Sequence, residues 1–434
     1  MQLEELTIEG LFDHFDHRVV FPTSSEEEED AIPSLVILHG RNGVGKTTIL
    51  RMIDGLMQLN FDVFREVPFS LCSLLFTTGD RLSVADGRVK RQRVFDVTFE
   101  TLEEGKQNVT LDGRRGKKGA FREGETPKVE EFRKTFFSKT NSIFFDYIAT
   151  SRRPEPEEPD SLRAMGYEFR DGVVVQSARA QAQRADQLQP LAAKVAAFVE
   201  SAQLDYRRFF STTEPELFPR ILQRLSEAAP EEYAPDELAR RLNNLRDEGE
   251  RLSRLGLEME RWDPDVLMVY LEELSSSPNR AYGLAVLAAY AEVLESRAEQ
   301  RALVANRLLT FEAIMNEFLL DKHVSVDPER GLRIETTGGR VLTENRLSSG
   351  EYHLLYLMVE ALVTRRRGTV IAIDEPEMSM HIAWQRKLIP NLLRCASNAA
   401  PQFIFATHSP DIVADYRSSL IRIGPDEEDN AARS

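Results

Sequence analysis

Hydrophobic and polar positions change rhythm along this chain, and each change marks a part. Residues 1–22 alternate in two runs, LEELTIEGLF and HRVVF, the period of half-buried strands. SLVILHG (34–40) is a continuous β-branched and leucine run, which predicts a strand buried on both faces. A glycine-rich loop follows, and TTILRMIDGLMQL (47–59) takes up helical spacing. Residues 69–112 hold short alternating runs such as RQRVFDVTFETL, predicting antiparallel strands. NSIFFDYIA (141–149) predicts another buried strand, ended by a proline-rich break.

From about 161 to 320 the pattern becomes helical and charged. Pro190, Pro215, Pro219, Pro230, Pro235, Pro264 and Pro278 interrupt it, so no long coiled coil can run through. A compact helical insert is expected, closing with one long helix from about 281 to 320. There Val304, Leu308, Phe311, Met315 and Phe318 alternate by four and three, a heptad-like seam read as packing against its own domain. HVSVDPERGLRIETTGGRVLTENRL (323–347) predicts two or three strands with glycine turns. LSSGEYHLLYLMVEALV then places Leu354, Leu355, Met358, Ala361 and Leu362 on one helical face. Strand TVIAIDEPE, helix IAWQRKLIPNLLRCA, strand QFIFATHSP, a short helix and strand SSLIRIG complete the chain. Strands alternating with helices predict a mainly parallel sheet. The expected organisation is residues 1–160 and 311–434 as two halves of one α/β head, with 161–310 as the insert.

Composition narrows the function classes. The chain has 434 residues, 42% hydrophobic and 29% charged, as expected of a packed globular protein. Its net charge of −16 argues against a surface that is basic throughout and coats nucleic acid. Cys72 and Cys395 have no histidine at ligand spacing, so neither a disulfide framework nor a zinc site is supported and a reducing cytosol fits. The start, MQLEELTIEG, is acidic where a signal peptide would be basic and then apolar. The longest apolar stretch, GLAVLAAYAEVL, falls short of the ~20 residues that span a bilayer and is read as a core helix. A cytoplasmic protein without a membrane segment is expected. The acidic run SSEEEED (24–30) is read as a solvated loop.

GRNGVGKTT matches the phosphate-loop pattern from Gly40 to Thr47, between a predicted strand and a predicted helix. Small residues at Gly40, Gly43 and Gly45 let backbone N–H groups of Asn42 to Thr48, Val44 included, curl round phosphates. Lys46 reaches the β- and γ-phosphates, and the Thr47 hydroxyl can ligate Mg²⁺. VIAIDEPE delivers Asp374 and Glu375 at the end of a buried strand, the Walker B arrangement: Asp374 for Mg²⁺, Glu375 as general base on the attacking water. FIFATHSP repeats the geometry with His408, suited to a γ-phosphate or the lytic water. Ser348, Ser349 and Gly350 begin a helix whose N–H groups suit an anion.

That last stretch, LSSGE, resembles the signature motif of ABC-type ATPases, and the order phosphate loop, insert, signature, Walker B, His-loop is similar to that family over about residues 1–160 and 310–430. The resemblance implies an α/β P-loop ABC-ATPase head with a mixed sheet, an antiparallel β subdomain and a helical insert. It implies ATP and Mg²⁺. It also implies head-to-tail pairing with a second copy, in which Ser348, Ser349, Gly350 and Glu351 cap a γ-phosphate held by the partner. Within the family the chain resembles the RecF/SMC/Rad50 side rather than membrane transporters. IDEPEMSMHIAWQ and ATHSP resemble the OLD (overcoming lysogenization defect) class, which includes ATPase subunits of the Septu, retron and PARIS anti-phage systems. OLD nucleases carry a Toprim domain after the His-loop. Here the given sequence finishes with RIGPDEEDNAARS, so any effector, such as a nuclease, is expected to be a separate protein.

Several residues keep two readings. No glutamine matches the family's Q-loop; IFFDYIATSRR stands in its place, with Arg152 as a nucleotide contact or a solvated arginine. His381 crosses the dimer seam or caps a helix. Phe12 or Phe15 stacks on adenine or belongs to the core. GRRGKKGAFR and the triplet 365–367 are solvated loops or touch nucleic acid, a contact that would weaken steeply with salt. Three functions follow: an ATP-hydrolysing sensor and scaffold of an anti-phage system, a DNA-repair or chromosome-maintenance clamp, and a scaffold that binds ATP without turnover.

Overall fold

A computed structural model describes residues 1–22, 33–89, 91–103, 105–113, 127–141, 143–149, 168–170, 173–175, 191–213, 219, 234–257, 263–275, 277, 279–366, 368–397 and 399–424. The chain opens with a hairpin, β1 (Leu3–Leu11) and β2 (Phe15–Val20), followed by β3 (Ser34–His39) and α1 (Lys46–Gln58). After the short α2 (Asp62–Glu66) come β4 (Leu71–Phe76), β5 (Arg81–Val89), β6 (Gln92–Thr101) and β7 (Gly105–Asp112). Helix α3 (Pro127–Lys139) leads to β8 (Phe144–Ile148). A small hairpin, β9 (Glu168–Arg170) with β10 (Val173–Val175), lies where helix was expected.

Among the described residues four helices follow: α4 (Leu191–Thr213), α5 (Pro235–Arg254), α6 (Pro264–Ser275) and α7 (Arg280–Phe318). Then come β11 (Lys322–Asp327), β12 (Gly331–Thr336), β13 (Val341–Leu342) and α8 (Ser349–Val363). The chain closes with β14 (Thr369–Asp374), α9 (Ile382–Cys395), β15 (Gln402–Thr407), α10 (Pro410–Val413) and β16 (Leu420–Arg422).

These elements form two compact units. The first holds residues 1–188, 348–354 and 364–434; the second holds 189–347 and 355–363.

In the first unit β16, β3, β15, β14 and β8 lie side by side in that order, every described pair parallel. β14 and β15 are buried along their whole length, which is why their sequences are apolar without alternation. A second sheet, β2-β1-β4-β5-β6-β7, is antiparallel. Helix α1 packs against strands of both sheets, and its Ile49, Met52, Ile53 and Leu56 are fully buried. Gln402, 2% exposed, stitches the sheets: its amide accepts from Leu3 N and donates to the Leu3 carbonyl, both at 2.9 Å.

In the second unit the long α7 buries Leu308, Phe311, Met315 and Phe318, so the heptad-like seam serves its own domain. The Glu344 carboxylate accepts the first N–H groups of α4, from Leu191 at 3.2 Å and Ala192 at 2.7 Å. The buried Arg307 guanidinium donates to the Ala361 and Leu362 carbonyls at the end of α8, a cation on the negative pole of a helix. Among the described residues no helix is long and apolar enough to cross a membrane.

Candidate functional site

The parallel sheet gathers the chemistry by register. Thr407 pairs with His39, Asp374 with Ala406, and Ile373 with Ile148. The C-terminal ends of β3, β15, β14 and β8 therefore share one edge, the side where α/β sheets bind ligands. The loop Gly40–Gly45 leaves β3 there and runs into α1. Gly45 takes φ +102°, and a Cβ on it would stand 2.9 Å from the Phe12 ring, so only glycine fits. Phe12 thus packs on the phosphate loop, while Phe15 stacks on His17 with ring centroids 5.9 Å apart. Asn42 and Gly43 are exposed, and Val44 and Thr48 half-buried.

Lys46 is buried, and its ammonium donates to the carbonyls of Gly40 at 2.8 Å and Arg41 at 3.0 Å. Burial lowers its pKa below the ordinary lysine value, opposed by the nearby Glu375, Asp374 and Glu377. The Thr47 hydroxyl donates to Asp374 Oδ1 at 3.1 Å. One hydroxyl and one carboxylate converging beside a phosphate loop are the hard oxygen donors that Mg²⁺ prefers, so this pair fits that ion. Among the described residues no cluster of three His, Cys, Asp or Glu could hold a metal alone, which leaves phosphate oxygens and water to complete such a site.

Glu375 sits in the left-handed region at φ +47°, with its N–H bonded to Ala406 O at 2.7 Å. A non-glycine residue held there costs roughly 1–2 kcal/mol, and such strain concentrates at functional sites. His408 Nδ1 lies 3.6 Å from Glu375 Oε1 and 3.3 Å from Glu377 Oε1. Lys46, Thr47, Asp374, Glu375 and His408 are thus brought together. Glu377 joins them unannounced: sequence shows an acid after a turn proline, with nothing to say that it is buried.

The signature residues lie on another element, the start of α8. Ser348 and Glu351 form a reciprocal capping box on α8, with Glu351 N–H to Ser348 Oγ at 3.4 Å and Ser348 N–H to Glu351 Oε2 at 2.8 Å. Ser348 and Ser349 are exposed, and among the described residues their hydrogen bonds do not reach the phosphate loop. Gly350 is buried, and a Cβ there would meet the Ser379 carbonyl at 2.5 Å, so the helix start is pressed against the turn after Walker B. His353 is bonded to the Pro376 backbone, tying the same two segments. His381 caps α9, its Nδ1 accepting from Ala383 N at 3.2 Å. Arg152, Arg367 and most of the basic stretch 112–127 lie outside the described residues. The Arg366 guanidinium lies 4.3 Å over the Phe144 ring.

Fold and site together define a P-loop head of the ABC-ATPase type. A family model described as "AAA domain, putative AbiEii toxin, Type IV TA system" (AAA_21) matches residues 35–414, and the chain belongs to that family. No curated protein matches it. Among solved structures, the Smc head domain with an extended coiled coil bound to the C-terminal domain of ScpA, from Pyrococcus furiosus, is 12% identical with a TM-score of 0.36, covering 100% of this chain and 98% of that one. The SmcHead bound to the C-winged helix domain of ScpA is 12% identical with a TM-score of 0.35, covering 98% and 96%.

Proposed function

We propose that this chain binds Mg·ATP and hydrolyses it in composite sites made by two copies arranged head to tail. The observation that carries the reading is the split just described: Lys46, Thr47, Asp374, Glu375 and His408 meet at one sheet edge, while Ser349 is exposed at a separate helix N-terminus. Backbone N–H groups of the Gly40–Thr48 loop and the Lys46 ammonium take the phosphates. Thr47 and Asp374 hold Mg²⁺, which when bound neutralises charge on the β- and γ-oxygens. Glu375 orients and polarises the attacking water. Ser348, Ser349 and Gly350 cap the γ-phosphate of the partner copy through hydroxyl and N–H groups. In this division of labour catalysis is positioning and charge stabilisation.

The biological use we infer is that of a sensor and scaffold that controls a separately encoded effector, such as a nuclease, during phage infection. The OLD-like motifs and the toxin–antitoxin description of the family support it. Turnover, mass and co-purification measurements test the pair of statements. Glu375→Gln should cut phosphate release by about 10²-fold or more while retaining ATP. Light scattering should then show ATP shifting the mass from 49.4 kDa to about twice that. Unchanged turnover in this variant would remove Glu375 as the base. Co-purification with a nuclease encoded beside it supports the defence role; retention on DNA ends instead would move the assignment to a repair clamp.

A further inference from the structure

A buried carboxylate that the proposed chemistry does not use lies against it. Glu377 has its side chain 6% exposed. Its Oε1 accepts the Thr407 hydroxyl at 2.6 Å and the backbone N–H groups of His408 and Ser409, both at 3.2 Å. His408 Nδ1 is 3.3 Å from the same oxygen. Oε2, by contrast, is buried with no hydrogen-bond partner among the described residues. A carboxyl group with one oxygen orphaned costs stability, and a hydrophobic residue would fill the space at less expense. Every partner of Oε1 belongs to one turn, 407–409, the turn that carries His408. That turn is braced from a second side, since Ser409 Oγ donates to Gln385 Oε1 at 2.8 Å and Gln385 Nε2 donates to Met380 O at 3.1 Å.

The imidazole is therefore approached at Nδ1 by two carboxylate oxygens, from Glu377 at 3.3 Å and Glu375 at 3.6 Å. Ionised carboxylates only accept hydrogen bonds, so a lone pair on Nδ1 would face negative charge while a proton there is attracted. We infer that Glu377 is a positioning residue: it locks the 407–409 turn and holds neutral His408 as the Nδ1–H tautomer, leaving Nε2 as the nitrogen available to the nucleotide or its water. The inference rests on the ATPase reading for its kinetic consequence but not for the tautomer itself.

Long-range ¹H–¹⁵N NMR on the ¹⁵N-histidine-labelled full chain without nucleotide reads the tautomer directly, with His408→Gln assigning the signal. Wild type should show Nδ1–H, and Glu377→Ala should lose that preference. In turnover, Glu377→Ala should lower kcat by about 10- to 100-fold with KM for ATP little changed, the scale on which residues orienting a functional group act. Glu377→Gln keeps an acceptor at Oε1 and should recover most of kcat. Added to His408→Gln, Glu377→Ala should cause no further loss, because both act through one ring. An Nε2–H tautomer in wild type, normal turnover in Glu377→Ala, or a full additional loss in the double variant overturns the inference. If Glu377→Ala does not fold, the wild-type tautomer and the Gln variant decide. If wild type does not hydrolyse ATP, the ATPase reading fails by itself, and the tautomer still decides whether Glu377 holds the ring.

Discussion

Shared sites make a quantitative prediction about mixing two inactive proteins. Ser349 is exposed, and it is the neighbour of the capping residue rather than the cap, because the box is closed by Ser348 and Glu351. Ser349→Arg should therefore change folding stability by no more than about 0.5 kcal/mol, the usual range for a surface position. It nevertheless places a bulky cation where the partner's γ-phosphate must be approached, and turnover should be lost. Lys46→Ala is lost for the opposite reason, since its own phosphate loop has no charge to offer. In a heterodimer of the two, one site pairs an intact Lys46 with an intact Ser349, and the other carries both lesions. Random mixing at equal concentration makes about half of the dimers mixed, each with one working site of two, so about a quarter of wild-type turnover should return. Coupled-enzyme ATPase assays over a titration of one variant into the other give the curve, with a maximum at equal amounts. Urea unfolding of each variant checks that both are folded. A mixture as inactive as its parts, or full activity of Ser349→Arg alone, would refute the composite site.

Other consequences are local. Ser348→Ala removes a capping-box acceptor and should cost about 1 kcal/mol in urea unfolding, whereas Ser348→Asp should restore most of it. Gln402→Met leaves the buried Leu3 N–H and C=O without their amide partner and should cost about 2–4 kcal/mol, a drop readable in the urea midpoint. His17, His39 and His353 are each held below the ordinary histidine pKa of 6.5, in every case mainly by burial. Each has one buried ring nitrogen without a partner among the described residues, so a second proton there would have no acceptor. The unfolded chain binds these protons first; stability should be complete above about pH 6.5 and fall as pH drops through the lowered values. Urea midpoints between about pH 7.5 and pH 5 should show that slope, and His353→Gln should reduce it, leaving the part due to His17 and His39; a level wild-type profile would remove the explanation.

What could be read without coordinates was whatever is encoded by neighbours in the chain. The phosphate loop is contiguous, and its strand–glycine–helix grammar acts through local backbone freedom, so Gly40 to Thr48 was legible at once. The buried parallel strands showed themselves as apolar runs ending in Asp374 and His408, because a strand covered on both faces has no polar positions to alternate with. The long α7 and the α8 cap were likewise local, set by periodicity and by a serine three residues before a glutamate. Tertiary structure alone decided who meets whom. Strand order brings Thr47 to Asp374 across 327 positions of sequence, and Gln402 to Leu3 across 399. Phe12 is pressed on Gly45 by the way β1 and β2 fold back on the loop, and Glu377 is buried beneath the His408 turn. Those are properties of packing density and of hydrogen-bond accounting in the folded interior. A single residue's type carries neither, since the same glutamate in the same DEPE stretch is solvated or buried according to the strand laid beside it.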